Sequence, residues 1–108
     1  MPISNEDFQV PDEQLIRKAL AVIGSKWRLY IILSLDERTL RYSELGALLP
    51  QISHKVLTSE LKTLLKLGVM QRKMYAQVPL RVDYSLAKRG RLALPTLRQL
   101  LEVGRLFN

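Results

Sequence analysis

The groups best suited to chemistry on a partner lie between Ile52 and Gly68, ISHKVLTSELKTLLKLG. At about 100° per residue, His54, Lys55, Thr58, Ser59, Lys62 and Lys66 gather on one side of a helix, and Leu57, Leu61 and Leu64 gather across from them. An imidazole, short hydroxyls and lysines can bond base edges and phosphates in a major groove. Taken alone, the same face is also what a merely solvated helix presents. The single acid, Glu60, is set towards the flank. Ser53 suits the N-cap, Ile52 and Leu57 stand at hydrophobic-staple spacing, and Gly68 accepts the left-handed conformation that ends a helix.

Other chemistries are poorly supplied. The 108 residues contain no cysteine, which removes disulfides, thiolate catalysis, thiol redox sensing and cysteine-based zinc sites. With His54 the lone histidine, neither a histidine-rich metal site nor a His-centred triad can be assembled, and no glycine-rich phosphate loop is present. Neither an enzyme nor a resident cofactor is expected.

Charge points towards a polyanion. Residues 1–15 hold four acids and no Lys or Arg, so residues 16–108 carry 17 basic against 6 acidic groups, a net of +11. Such a balance attracts nucleic acid, although a membrane surface or simple solubility would also accommodate it. No apolar run approaches a membrane span, and the start, MPISNEDFQV, is acidic where a signal peptide is basic and then apolar. A cytoplasmic protein is expected, with residues 1–12 an acidic N-terminal tail and 13–108 one domain.

The remaining segments must position the polar helix. Asp12 or Glu13 leads into a first helix through Leu15, Ile16, Ala19, Leu20 and Ile23, stopped at Gly24. KWRLYIILSL, Lys26–Leu35, follows with Ser25 as N-cap; it is apolar nearly all round and reads as the most buried helix, with Trp27 and Tyr30 as core or interface aromatics. Leu40, Arg41 and Tyr42 form a very short strand before Ser43 caps a brief helix, SELGALL, which Pro50 ends by disfavouring helical geometry at Leu49. Two helices joined by so short a turn, the second polar outside, make a helix-turn-helix whose second helix enters the major groove.

Beyond Gly68 the pattern becomes that of strands, Val69–Tyr75 and Arg81–Leu86, with Gln77–Leu80 as the turn. A two-stranded hairpin directly after such a helix is a wing, where Arg72, Lys73 and Arg81 reach phosphates or the minor groove and Asp83 dilutes the positive field. The last stretch, Lys88–Phe107, is a long helix that Pro95 should bend or divide. Its apolar positions, Leu97, Leu100, Leu101 and Val103 among them, are many for so small a domain, and a dimer is expected.

Together these segments resemble the HxlR-type winged helix-turn-helix regulators. The likeness rests on ALAVIGSKW (Ala19–Trp27), RYSEL (Arg41–Leu45), LPQISHKVLTSELKTLLKLGVMQRKMY, VPLRVDYSL (Val78–Leu86) and GRLALPTL from Gly90, in order, over residues 13–107. It implies a homodimer paired through its first and last helices, addressing an inverted-repeat operator in double-stranded DNA with half-sites about one helical turn apart. Family members usually repress and sometimes activate. Many sense oxidants through a cysteine that corresponds here to Gln14, so sensing here is not thiol-based. The final helix usually opens with a Thr cap and Pro, where Ala87 and Lys88 stand, a start weaker by about 1 kcal/mol.

The expected fold is therefore mainly α with a small β-hairpin wing, a winged helix-turn-helix with helices at both termini forming a dimer interface. Its expected DNA contacts are Ser43, Ser53, His54, Lys55, Thr58, Ser59, Lys62, Arg72 and Arg81. Its expected interface is Leu15, Ile16, Ala19, Leu97, Leu100, Leu101 and Val103. The expected function is transcriptional repression as a homodimer, with room for an unidentified apolar small-molecule effector near Trp27 or Tyr30. The alternative is a winged-helix module that binds a protein partner without specific DNA binding.

Overall fold

The computed structural model describes residues 11–108; most of the acidic tail lies outside them. Five helices and three short strands follow in the order α1 (Glu13–Ile23), α2 (Lys26–Leu35), β1 (Leu40–Arg41), α3 (Tyr42–Leu48), α4 (His54–Lys66), β2 (Met70–Tyr75), β3 (Arg81–Leu86) and α5 (Lys88–Arg105). Local chemistry sets most boundaries. The Asp12 carboxylate accepts from the Gln14 and Leu15 amides to start α1, and the Ser25 hydroxyl accepts from the Arg28 amide to start α2. Ser53 does the same for α4 through the Val56 amide at 3.1 Å. Leu49, ahead of Pro50, leaves helical geometry at φ −124°, and Gly68 closes the α4 turn at φ 76°.

α2 is the hub, with Ile31, Ile32 and Leu35 fully buried and α1, α3, α4, α5 and β3 packed around it. The core continues through Leu45 of α3, Leu57, Leu61 and Leu64 of α4, Met70, Leu86, and Leu94 and Leu97 of α5. Each such leucine gains about 1.5–3 kcal/mol on leaving water.

Four expectations change. The wing is part of a three-stranded antiparallel sheet, order β1-β3-β2, in which Leu40 pairs with Tyr84 and Arg41 with Asp83. Ser43 is not a cap: α3 begins at Tyr42, and the Arg41 amide donates to Glu44 Oε1 at 2.9 Å. α5 is not divided at Pro95; that residue lies on the exposed side while Leu94 and Leu97 are buried in the core that α5 shares with α2 and the sheet. Leu97, expected at a dimer interface, is instead part of the chain's own core, 7 % exposed.

α5 does open without a side-chain cap at Ala87. Tertiary contacts hold its start instead. The Ala87 amide donates to the Val69 carbonyl at 2.9 Å, and a Cβ at Gly90 would lie 2.2 Å from that same oxygen. Only glycine lets the helix approach so closely.

Candidate nucleic-acid interface

With Leu57, Leu61 and Leu64 buried, the outermost line of α4 is Lys55, Ser59, Lys62 and Lys66, all exposed. None of these lysines has a carboxylate partner among the described residues. Of the candidate contacts, Ser43, Ser53, His54 and Arg72 are also exposed, although the Ser53 hydroxyl is engaged as the α4 cap.

Thr58 departs from the expected outward pose. It and His54 sit on the flank of α4 that faces Tyr42 of α3. The Tyr42 hydroxyl donates to the His54 carbonyl at 3.1 Å, leaving its oxygen to accept from the Thr58 hydroxyl at 3.0 Å. The Tyr42 and His54 rings meet edge to face with centroids 4.9 Å apart. Tyr42 thus fixes the angle between the two helices of the helix-turn-helix. The sequence suggested a strand residue there; nothing local marks the contact.

On the opposite flank Glu60 is engaged rather than free. Its Oε2 accepts from Arg28 Nε at 2.8 Å and from the Ser25 hydroxyl at 2.7 Å, while Arg28 Nη1 donates to the Ala21 carbonyl at 2.7 Å. One small network therefore joins the end of α1, the cap of α2 and the middle of α4. Glu60 lies over 30 residues from both Ser25 and Arg28 in sequence, so no spacing rule could have found that link.

The wing disposes its charge differently. Asp83, 6 % exposed, lies in a cross-strand row between Arg41 and Lys73 and takes both Nε and Nη2 of Arg81 at 3.0 Å. The Arg81 hydrogen bonds hold the Asp83 carboxyl below the usual carboxylate range, and Asp83 in turn raises Arg81. Arg81 also stacks over Tyr75 at 4.9 Å, with the Lys73 ammonium 5.2 Å from the same ring. Arg81, expected to reach phosphates, is thus already committed within the wing.

Two further surfaces frame this face. Exposed apolar side chains run along the outside of α1, at Leu15, Ile16 and Leu20, and along the end of α5, at Leu101, Val103, Leu106 and Phe107; Ala19 is exposed and Leu100 half-buried. No residue of α1 is buried within the chain. Between these helices and α2 lies a cleft of about 340 Å³ lined by Ile23, Ser25, Lys26, Leu29, Tyr30 and Leu101. Among the described residues there is no cluster of acids and histidine that would hold a metal, and no helix is long and apolar enough to cross a membrane.

A helix-turn-helix whose second helix is followed by a β-hairpin packed on the same core defines a winged helix-turn-helix protein. The HxlR-like helix-turn-helix family model matches residues 22–108, and the chain belongs to that family. An HTH-type transcriptional regulator of Methanothermobacter thermautotrophicus is 36% identical over 98 residues, 89% of this chain and 75% of the relative. Among solved structures, a MarR-family transcriptional regulator from Porphyromonas gingivalis W83 superimposes with a TM-score of 0.81 at 37% identity, covering 91% of this chain and 97% of that one. The redox regulator HypR in its oxidised form superimposes at 0.77 and 33% identity, covering 84% of this chain and 94% of its own. The protein is a transcriptional regulator of the winged-helix type, a class that is not enzymatic. Redox regulation does occur among similar structures, which runs against the expectation of sensing without thiols; this chain itself has no cysteine to oxidise.

Proposed function

We propose that this regulator works as a homodimer that binds an inverted-repeat operator in double-stranded DNA and represses the adjacent gene. The observation that carries the reading is the line of lysines on α4 with no carboxylate partner among the described residues, set on a helix whose other faces are held by Tyr42 and by Arg28. Lys55, Ser59 and Lys62 face the major groove, with His54 at the leading end. Ser43, Ser53 and Arg72 serve the flanking phosphates. Thr58 and Arg81 act chiefly by holding α4 and the wing in place.

Dimerisation is supported by α1, an amphipathic helix with nothing buried in its own chain, and by the apolar end of α5. Leu15, Ile16, Ala19, Leu20, Leu101 and Val103 form the contact, with Leu100 at its edge. The cleft beside Tyr30 opens at that contact and has the size and apolar lining of a small-molecule site.

Selection of bound duplexes from a random pool, followed by titration at several salt concentrations, tests the reading. A palindromic site should emerge, with affinity falling steeply as salt rises. Equal, weak and salt-independent binding to every duplex would overturn it. Leu15→Asp with Leu101→Asp should give a monomer by sedimentation and lose the palindromic site.

A further inference from the structure

The tip of the β2–β3 hairpin carries apolar surface that no described residue covers. Val78 is 100 % exposed, Leu80 60 % and Met74 56 %, with Pro79 exposed between them. Residues 74–80, MYAQVPL, contain no charge. The nearest cations are spoken for: Arg81 is clamped by Asp83 and stacked on Tyr75, and Lys73 rests over the same ring. A hairpin that met only phosphates would have free cations and hydroxyls at its end. This one has a stiffened stem and an apolar end.

The geometry points to the wing tip as an apolar wedge, in which Val78, Pro79 and Leu80 enter the minor groove beside each half-site, partly unstack a base step and bend the operator. The inference rests on the DNA-binding reading above and adds to it a mode of contact and a deformation. Continuity places the tip next to the α4 face. Leu80 and Arg81 share one open concavity with Arg41, Tyr42 and Ser43, and Tyr42 is the residue that touches His54 and Thr58 of α4. Exposed Arg41 and Ser43 at the rim of that concavity suit the phosphates flanking a groove, and the apolar tip suits its floor. Such wedges favour steps that unstack easily, pyrimidine–purine steps above all, and so select sequence without hydrogen-bonding to a base.

The test uses the full chain and the duplex selected above. Circular-permutation gel shifts should report a bend between about 20° and 90° for the natural chain. A 2-aminopurine at the wedged step should brighten several-fold on binding. Val78→Ser with Leu80→Ser, changes confined to exposed positions, should abolish both signals and weaken binding about tenfold, leaving the salt slope, the dimer and the melting temperature unchanged. The inference is overturned if the variant bends and binds as the natural chain does, or if it loses its dimer instead. Should the natural chain bind no duplex at all, the DNA-binding reading falls as well, and that result is visible before any variant is made.

Discussion

α4 and the wing are both rich in cations, yet they dispose of them in opposite ways. On α4 the lysines stand outside with no carboxylate partner among the described residues, and the one acid, Glu60, is turned back onto Arg28 and Ser25. On the wing the acid sits in the middle of the sheet and draws Arg81 onto itself. Formal charge alone would rate the two regions alike. The difference teaches that a cation counts for a polyanion only when no nearer carboxylate holds it.

The contrast can be broken most directly at α4. Lys55→Glu with Lys62→Glu should lower operator affinity by about a hundredfold or more and reduce the salt slope by about 2, with dimer formation intact by sedimentation. Next comes the network behind α4. Glu60→Ala leaves Arg28 Nε and the Ser25 hydroxyl short of their acceptor in a part-buried site, and should cost about 2 kcal/mol in chemical denaturation. The smallest effect belongs to the wing: Asp83→Asn releases Arg81, raises the salt slope by about 1 and tightens non-specific binding a few-fold.

Acid sharpens the same point. The folded Asp83 carboxyl ionises more readily than a free one, so its contribution is complete above about pH 4 and is lost as pH falls through its depressed value. Asp83→Asn should remove that part of the acid sensitivity in pH-dependent melts. An unchanged acid profile would mean that the Arg81 clamp contributes little to folding.

What the sequence displayed is what local rules govern. The apolar run Lys26–Leu35, the caps at Asp12, Ser25 and Ser53, the turn at Gly68 and the Leu57, Leu61, Leu64 face each depend on neighbours a few residues away, and all appear in the structure. The pairing of Leu40 with Tyr84, the Arg28–Glu60 link and the Tyr42 hydroxyl bonds were not legible there, because they join residues brought together only by the packed core. α5 shows the boundary between the two kinds of information. Leu97 and Leu101 look alike in a periodic pattern, and only the packing of α5 against the rest of the fold decides that the first is covered and the second left outside. The wing tip was likewise visible as VPL, but its exposure was not.

The seat of Gly90 on the Val69 carbonyl carries one more consequence. That oxygen belongs to the short link between α4 and β2, so the base of α5 and the root of the helix-turn-helix and its wing are pressed together without a side chain as cushion. In the proposed pair, the separation of the two reading units is then inherited from how the terminal helices meet, as the span of a caliper is set at its rivet. A methyl group at residue 90 would act as a shim there, re-spacing the jaws while leaving every DNA-facing residue untouched.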